Sequence, residues 1–111
     1  MPHIHLRGSE SLKEQTLDNA LVALTKCLSE CETIASESIK AYWTHHPRFA
    51  MVENAPRGFL HCEVSILAGR PNELRNQIAD LMYETLKDSF GDTELSLTFE
   101  LREMDKATYR K

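Results

Sequence analysis

The chain has no apolar run long enough to cross a bilayer as a helix, and its first residues lack the apolar core of a secretory leader. A helical membrane protein is excluded, and a soluble protein of the cytoplasm is expected. It has no excess of positive charge either: 13 Lys and Arg stand against 17 Asp and Glu, a net charge of −4, and no basic stripe offsets it. Nucleic-acid binding, which rests on neutralising phosphates, is therefore not expected. Cysteine is scarce. Cys27, Cys31 and Cys62 are odd in number and lack zinc-ribbon spacing, so free thiols in a reducing compartment are expected rather than a disulfide framework or a metal knuckle. What remains is ordinary globular composition, 41% hydrophobic and 27% charged over 111 residues. One domain, 1–111, with a modest core fits this length, and so small a fold gains from oligomerisation.

The pattern begins at once. Ile4 and Leu6 alternate with His3, His5 and Arg7, the period of a strand. Gly8-Ser9-Glu10 forms a turn, and Ser11 with Glu14 has capping-box spacing. Leu17, Leu21, Leu24, Leu28 and Cys31 then recur at helical steps, which predicts an amphipathic helix over about 11–31. Residues 36–44 read as extended, with Ile39, Ala41 and Trp43 opposite Lys40, Tyr42 and Thr44. From Pro47 to Gly58 the chain reads as a loop. Phe59–Leu67 is a strong strand, and Ala68-Gly69-Arg70 turns into a helix with Pro71 in its first position. Leu74, Ile78, Leu81, Met82 and Leu86 form that helix's apolar stripe, and Phe90-Gly91 closes it. A last strand is predicted over Glu94–Arg102, followed by a polar tail or short edge segment over 105–111.

The order is β-α-β twice, with halves of about 1–58 and 59–111. Strand–helix–strand crossovers make parallel pairs. The expected fold is thus α+β: a four-stranded mixed sheet with two helices on one face. The other face would carry His3, His5, Arg7, His61, Glu63, Ser65, Thr98 and Glu100. Such a face suits solvent, or the lumen of a ring formed by several sheets.

Three passages carry a likeness. Met1-Pro2-His3, then Phe59-Leu60-His61 running to Ala68-Gly69-Arg70-Pro71, and Leu97-Thr98-Phe99-Glu100-Leu101 together resemble the tautomerase superfamily, and within it the 5-carboxymethyl-2-hydroxymuconate isomerases. The similarity covers most of the chain, strongest from Phe59 onward and loosest over Pro47–Gly58. It implies a homotrimer with sheets inside and helices outside, no cofactor, and an isomerase whose base is the N-terminal proline, here Pro2. It also implies that Arg70 holds a substrate carboxylate. A second cationic position, an arginine in the family's pattern, falls on Lys40; lysine keeps the charge but loses the bidentate fork.

The chemistry can be argued from the residues as well. Initiator methionine is normally trimmed before so small a residue as Pro2, which would leave a free secondary amine. Two readings of Pro2 are open: the cap of an edge strand, or a titratable base. Moving a double bond through an enol needs a group that takes a proton and returns it elsewhere, and one base with a pKa near the working pH does both. An α-amine titrates near ~7.7–8.0, and a prolyl amine, being more basic, needs lowering by an apolar pocket and nearby cations. Arg70, Arg7 and Lys40 are the candidates for that field and for recruiting a small unsaturated 2-hydroxy or 2-oxo acid. No metal or organic cofactor is required. Bland readings stand beside these. Arg70 taken alone is a turn residue; His3, His5 and His61 make a polar strand face more readily than a metal cluster; Cys27 and Cys31 are small core side chains. His45 and His46 suit a surface turn, since neighbours on a strand point apart. The rival from another class is a non-catalytic trimeric binding or structural protein of the same fold, in which a retained Met1 would make the Pro2 nitrogen an amide.

Overall fold

In the computed structural model, which describes residues 2–9, 12–54, 56–91 and 93–111, alternation and helical periodicity are expressed almost where the residues call for them. Strand β1 is His3–Gly8, helix α1 Glu14–Ser29, β2 Lys40–His45, β3 Phe59–Leu67, α2 Asn72–Phe90 and β4 Ser96–Met104. The sheet order is β2-β1-β3-β4. β1 runs parallel to β2 and β3 parallel to β4, each pair spanned by a helix, while β1 and β3 pair antiparallel at the centre. The architecture is the expected pair of β-α-β units in one mixed sheet.

One face of the two central strands forms the core floor. Ile4, Leu6, Leu60, Cys62, Val64 and Ile66 are buried there. Leu24 and Leu28 of α1, and Ile78, Met82 and Leu86 of α2, close over them and join all but Leu60 in a single cluster, with Ala20 of α1 also buried. Both helices therefore cover the same face, and they also pack on each other. At roughly 1.5–3 kcal/mol per fully buried large aliphatic side chain, this face supplies the main drive to fold. The central crossing is tight at Gly8. A Cβ built there would lie 2.5 Å from Leu60 Cδ2 and 2.7 Å from the Phe59 carbonyl oxygen, so the site admits only glycine without movement. Ser9 is buried beside it and ties the strands, its Oγ accepting from the Phe59 N–H at 2.9 Å.

Several boundaries differ from the expectation, each for a local reason. β1 is an inner strand, so Pro2 does not cap a sheet edge. Ser11, half of the expected capping box, lies outside the described residues; the helix starts at Glu14, after Lys13 in the cap position. The extended run begins at Lys40 rather than residue 36, because Ser36–Ser38 wind into a 3-10 turn in which Ser38 donates N–H and Oγ to the Ala35 carbonyl. Pro71 occupies the cap position of α2 in extended geometry, its carbonyl taking the Arg75 N–H. β4 starts at Ser96, two residues late, since Thr93 Oγ1 takes the Leu95 N–H in a short turn. Leu81, placed in the buried stripe by its spacing, is 62% exposed. The polar tail is not loose: Asp105 organises a turn, and Tyr109 reaches back to His3, its hydroxyl 3.0 Å from Nε2. No helix among the described residues is long and apolar enough to cross a membrane.

Candidate active site

The antiparallel register decides which ends of the chain meet. His3 pairs with Ser65, so the start of β1 lies beside the end of β3. Pro2, one residue earlier, is buried and lies on the helix side of the sheet with Ile4, because side chains alternate. Its carbonyl accepts the Lys40 N–H at 3.1 Å, which anchors the strand start. Just past the end of β3, Gly69 turns the chain with φ +124°, a conformation that favours glycine. Its N–H donates to Glu103 Oε2 at 3.3 Å. Arg70 follows. Pro2 and Arg70, remote in sequence, thereby line one pocket of about 160 Å³, together with Thr33, Ile34, Ala35 and Leu67.

The guanidinium is held by neutral oxygens. Nε donates to Thr33 Oγ1 at 3.0 Å, Nη2 to the Thr33 carbonyl at 2.7 Å and Nη1 to the Leu67 carbonyl at 3.0 Å. Among the described residues no carboxylate pairs with it within ion-pair distance. Its charge is fixed in direction yet unneutralised, which is what an anion site needs. The other arginine near that turn is committed elsewhere: Arg75 Nη1 pairs with Glu103 at 2.6 Å. Thr33, the chief support of Arg70, is invisible in the sequence. It follows α1 in a polar run with no periodicity and no motif; only its position beside the incoming Arg70 gives it a role.

Arg7 and Lys40 do not line this pocket. Lys40 is the cross-strand partner of His3 and so shares the helix-free face. Arg7 is on that face too, five residues along β1 from Pro2, or about 16 Å at strand rise. Its Nη2 donates to His5 Nδ1 at 2.9 Å, while its Nε is buried without a partner among the described residues. His5 Nε2 meets Thr44 Oγ1 at 2.8 Å, and His61 Nδ1 meets Thr98 Oγ1 at 2.7 Å. Burial, then the positive charge of Arg7, lowers the His5 pKa, and burial with positive charge including Lys40 lowers that of His3. Both rings are thus biased to the neutral form, and a neutral His5 Nδ1 is the lone pair that Arg7 needs. The three histidines do not converge as a metal set. Among the described residues the group that does come together, within 4.8 Å, is His61, Glu63 and Glu100, whose carboxylates already share Arg102 at 3.5 and 3.7 Å. His45 ends β2 stacked on Trp43, donating from Nε2 to the Ser9 carbonyl.

Comparison with known proteins places this geometry. A family model described as 5-carboxymethyl-2-hydroxymuconate isomerase matches residues 2–111. No curated protein matches the chain in sequence. Among solved structures, a 5-carboxymethyl-2-hydroxymuconate isomerase from Deinococcus radiodurans R1 superposes with a TM-score of 0.85 at 24% identity, covering 99% of this chain and 87% of the other. A 5-carboxymethyl-2-hydroxymuconate delta-isomerase gives 0.81 at 13% identity, covering 100% and 87%. A fused 4-OT wild-type symmetric trimer gives 0.79 at 15% identity, covering 99% and 89%. These likenesses establish the tautomerase fold, and the family match over nearly every residue goes further: the chain belongs to the 5-carboxymethyl-2-hydroxymuconate isomerase family.

Proposed function

We propose that the protein is a cofactor-free isomerase of the tautomerase type, moving a proton within a small unsaturated 2-hydroxy or 2-oxo carboxylic acid. The observation that carries this reading is the shared pocket: a buried proline at the chain start and an unneutralised, rigidly supported arginine line the same 160 Å³. In the proposed mechanism, removal of Met1 frees the Pro2 nitrogen. Burial and the charge of Arg70 both disfavour its protonated form, drawing the amine toward neutral pH. The free amine takes a proton from the dienol hydroxyl or α-carbon and returns it further along the conjugated chain. Arg70 holds the carboxylate throughout, with the bond to Thr33 keeping it from swinging, so the reacting carbon is presented to Pro2 at fixed distance. The family's isomerase character and the Pro2–Arg70 convergence both support it.

The reading includes a homotrimer. The fused 4-OT relatives of the same fold are trimers, and the helix-free face of this sheet carries a dense polar lattice centred on His5, Arg7, His61 and Glu63. Arg7 and Lys40 enter the mechanism through that assembly, as cations offered to a neighbouring subunit's pocket or to the acid approaching it.

The test is ketonisation of a 2-hydroxymuconate-type and a phenylpyruvate-type enol by wild type and Pro2→Ala, with intact mass establishing that Met1 is absent. Loss of a general base is expected to lower kcat by roughly 10²–10⁴-fold. Equal rates in the two proteins refute the proline mechanism, and absence of turnover in a protein lacking Met1 favours the non-catalytic binding protein.

A further inference from the structure

The turn that presents Arg70 has a carboxylate against it. The parallel register sets Glu103 of β4 opposite Ile66, on the helix side of the sheet. The pairing runs one residue past the strands, with the Ala68 N–H donating to the Met104 carbonyl at 3.0 Å. Glu103 thus ends beside Gly69 and beside Arg75 in the first turn of α2. Its two oxygens are divided: Oε1 takes Arg75 Nη1 at 2.6 Å, and Oε2 takes the Gly69 N–H at 3.3 Å. Among the described residues Arg75 has no other side-chain acceptor, and its Nε is buried without a partner. One turn therefore carries two arginines and one carboxylate, and the carboxylate goes to Arg75. Proximity alone does not dictate that choice, because Glu103 touches the residue just before Arg70, while Arg70 makes no ion pair among the described residues. A carboxylate so placed is the natural competitor of any acid that Arg70 binds. The fraction of molecules in which it held Arg70 would weaken the apparent affinity for that acid in proportion.

We propose that Arg75 is a positioning residue that occupies Glu103, pinning its carboxylate to the backbone of the turn and off the Arg70 guanidinium, so that Arg70 stays open to the carboxylate of the acid. The pair has a second effect in the same direction. Gly69 sits at φ +124°, where glycine has the widest backbone freedom, and the bond from its N–H to Glu103 holds the turn that aims Arg70. The consequence for substrate binding rests on the reading of Arg70 as the carboxylate holder; the partition of Glu103 between the two arginines does not.

The experiment compares wild type with Arg75→Leu, Arg75→Lys and the double variant Arg75→Leu/Glu103→Gln. The Arg70 Nε–H signal, assigned with Arg70→Lys, is followed in ¹H–¹⁵N spectra, first without ligand and then with added phenylpyruvate. Without ligand, the signal is expected to move in Arg75→Leu, where Glu103 is released to Arg70, and to keep its wild-type position in Arg75→Lys. It should return in the double variant, where the glutamine oxygen carries no charge. With phenylpyruvate, the apparent Kd should rise roughly two- to five-fold in Arg75→Leu, the span of a partly exposed ion pair, and recover in the double variant. Recovery is the sign that a merely structural role cannot give: if Arg75 and Glu103 only braced the fold, changing both would bind the acid no better than changing one. A stationary Arg70 signal in Arg75→Leu, or a double variant as weak as the single one, would overturn the proposal. Should Arg75→Leu fail to fold, Arg75→Gln enters the same comparison. A wild-type Arg70 signal that ignores phenylpyruvate refutes the carboxylate-holder reading instead, and the ligand-free spectra still decide the partition of Glu103.

Discussion

Replacing Thr33 with valine isolates the support of Arg70 from Arg70 itself. The substitution is nearly isosteric and removes only the hydroxyl that accepts from Nε at 3.0 Å, leaving the Thr33 carbonyl at 2.7 Å and the Leu67 carbonyl at 3.0 Å in place. A hydrogen bond to a charged group contributes about 1.5–3 kcal/mol when enclosed. Thr33 is exposed, so about 1 kcal/mol is the appropriate figure here. At RT of about 0.6 kcal/mol that is roughly a five-fold loss in kcat/KM. The loss should fall on KM, because a carboxylate clamp holds ground state and transition state alike. Steady-state ketonisation of a phenylpyruvate enol measures both constants. Arg70→Leu should cost more, and adding Thr33→Val to it should cost nothing further, since the two residues act as one unit. An unchanged kcat/KM in Thr33→Val, or additive losses in the double variant, would refute the argument that Thr33 works through Arg70.

Two further outcomes concern the fold. Gly8→Ala forces a Cβ to within 2.7 Å of the Phe59 carbonyl oxygen, backbone that cannot turn aside, so a loss of about 1–3 kcal/mol in urea unfolding is expected; a midpoint equal to wild type would show that the β1–β3 crossing is looser than described. His5 has a lowered pKa, so between about 6.5 and its folded value the unfolded chain binds the extra proton. Its contribution is present above pH ~6.5 and is lost as pH falls through the folded pKa, with Arg7, His46 and His61 opposing its charging and Glu63 favouring it. The dependence of Tm on pH below 6.5 should flatten in His5→Asn, and parallel curves would remove His5 as the cause.

Much of this was legible in the chain. The alternation of Ile4 and Leu6, the continuous pattern of Phe59–Leu67 and the leucine stripe of α1 depend on nearest neighbours, and burial of one face is the force that made them. The same alternation put Arg7 and Lys40 on the polar face, away from Pro2. Ends of elements were read less well, because local hydrogen bonds accepted by Thr93 and donated by Ser38 compete with the ladder and the helix. Leu81 shows the limit of periodicity: the spacing marked it apolar, but the gap between α1 and α2 left it at the rim of a cavity.

By itself the sequence determined two β-α-β units and a polar sheet face, since these depend on local periodicity, while Pro2 and Arg70 became candidates through the family resemblance. Only the tertiary structure decided that these candidates share a pocket. That outcome depends on the antiparallel pairing of β1 with β3, which brings the first strand's start to the second unit's Gly-Arg turn. Pairing between strands more than fifty residues apart is set by how two apolar faces fit beneath the helices, and no local pattern encodes it. The role of Thr33 has the same origin: it acquires a partner only when the two units close on each other.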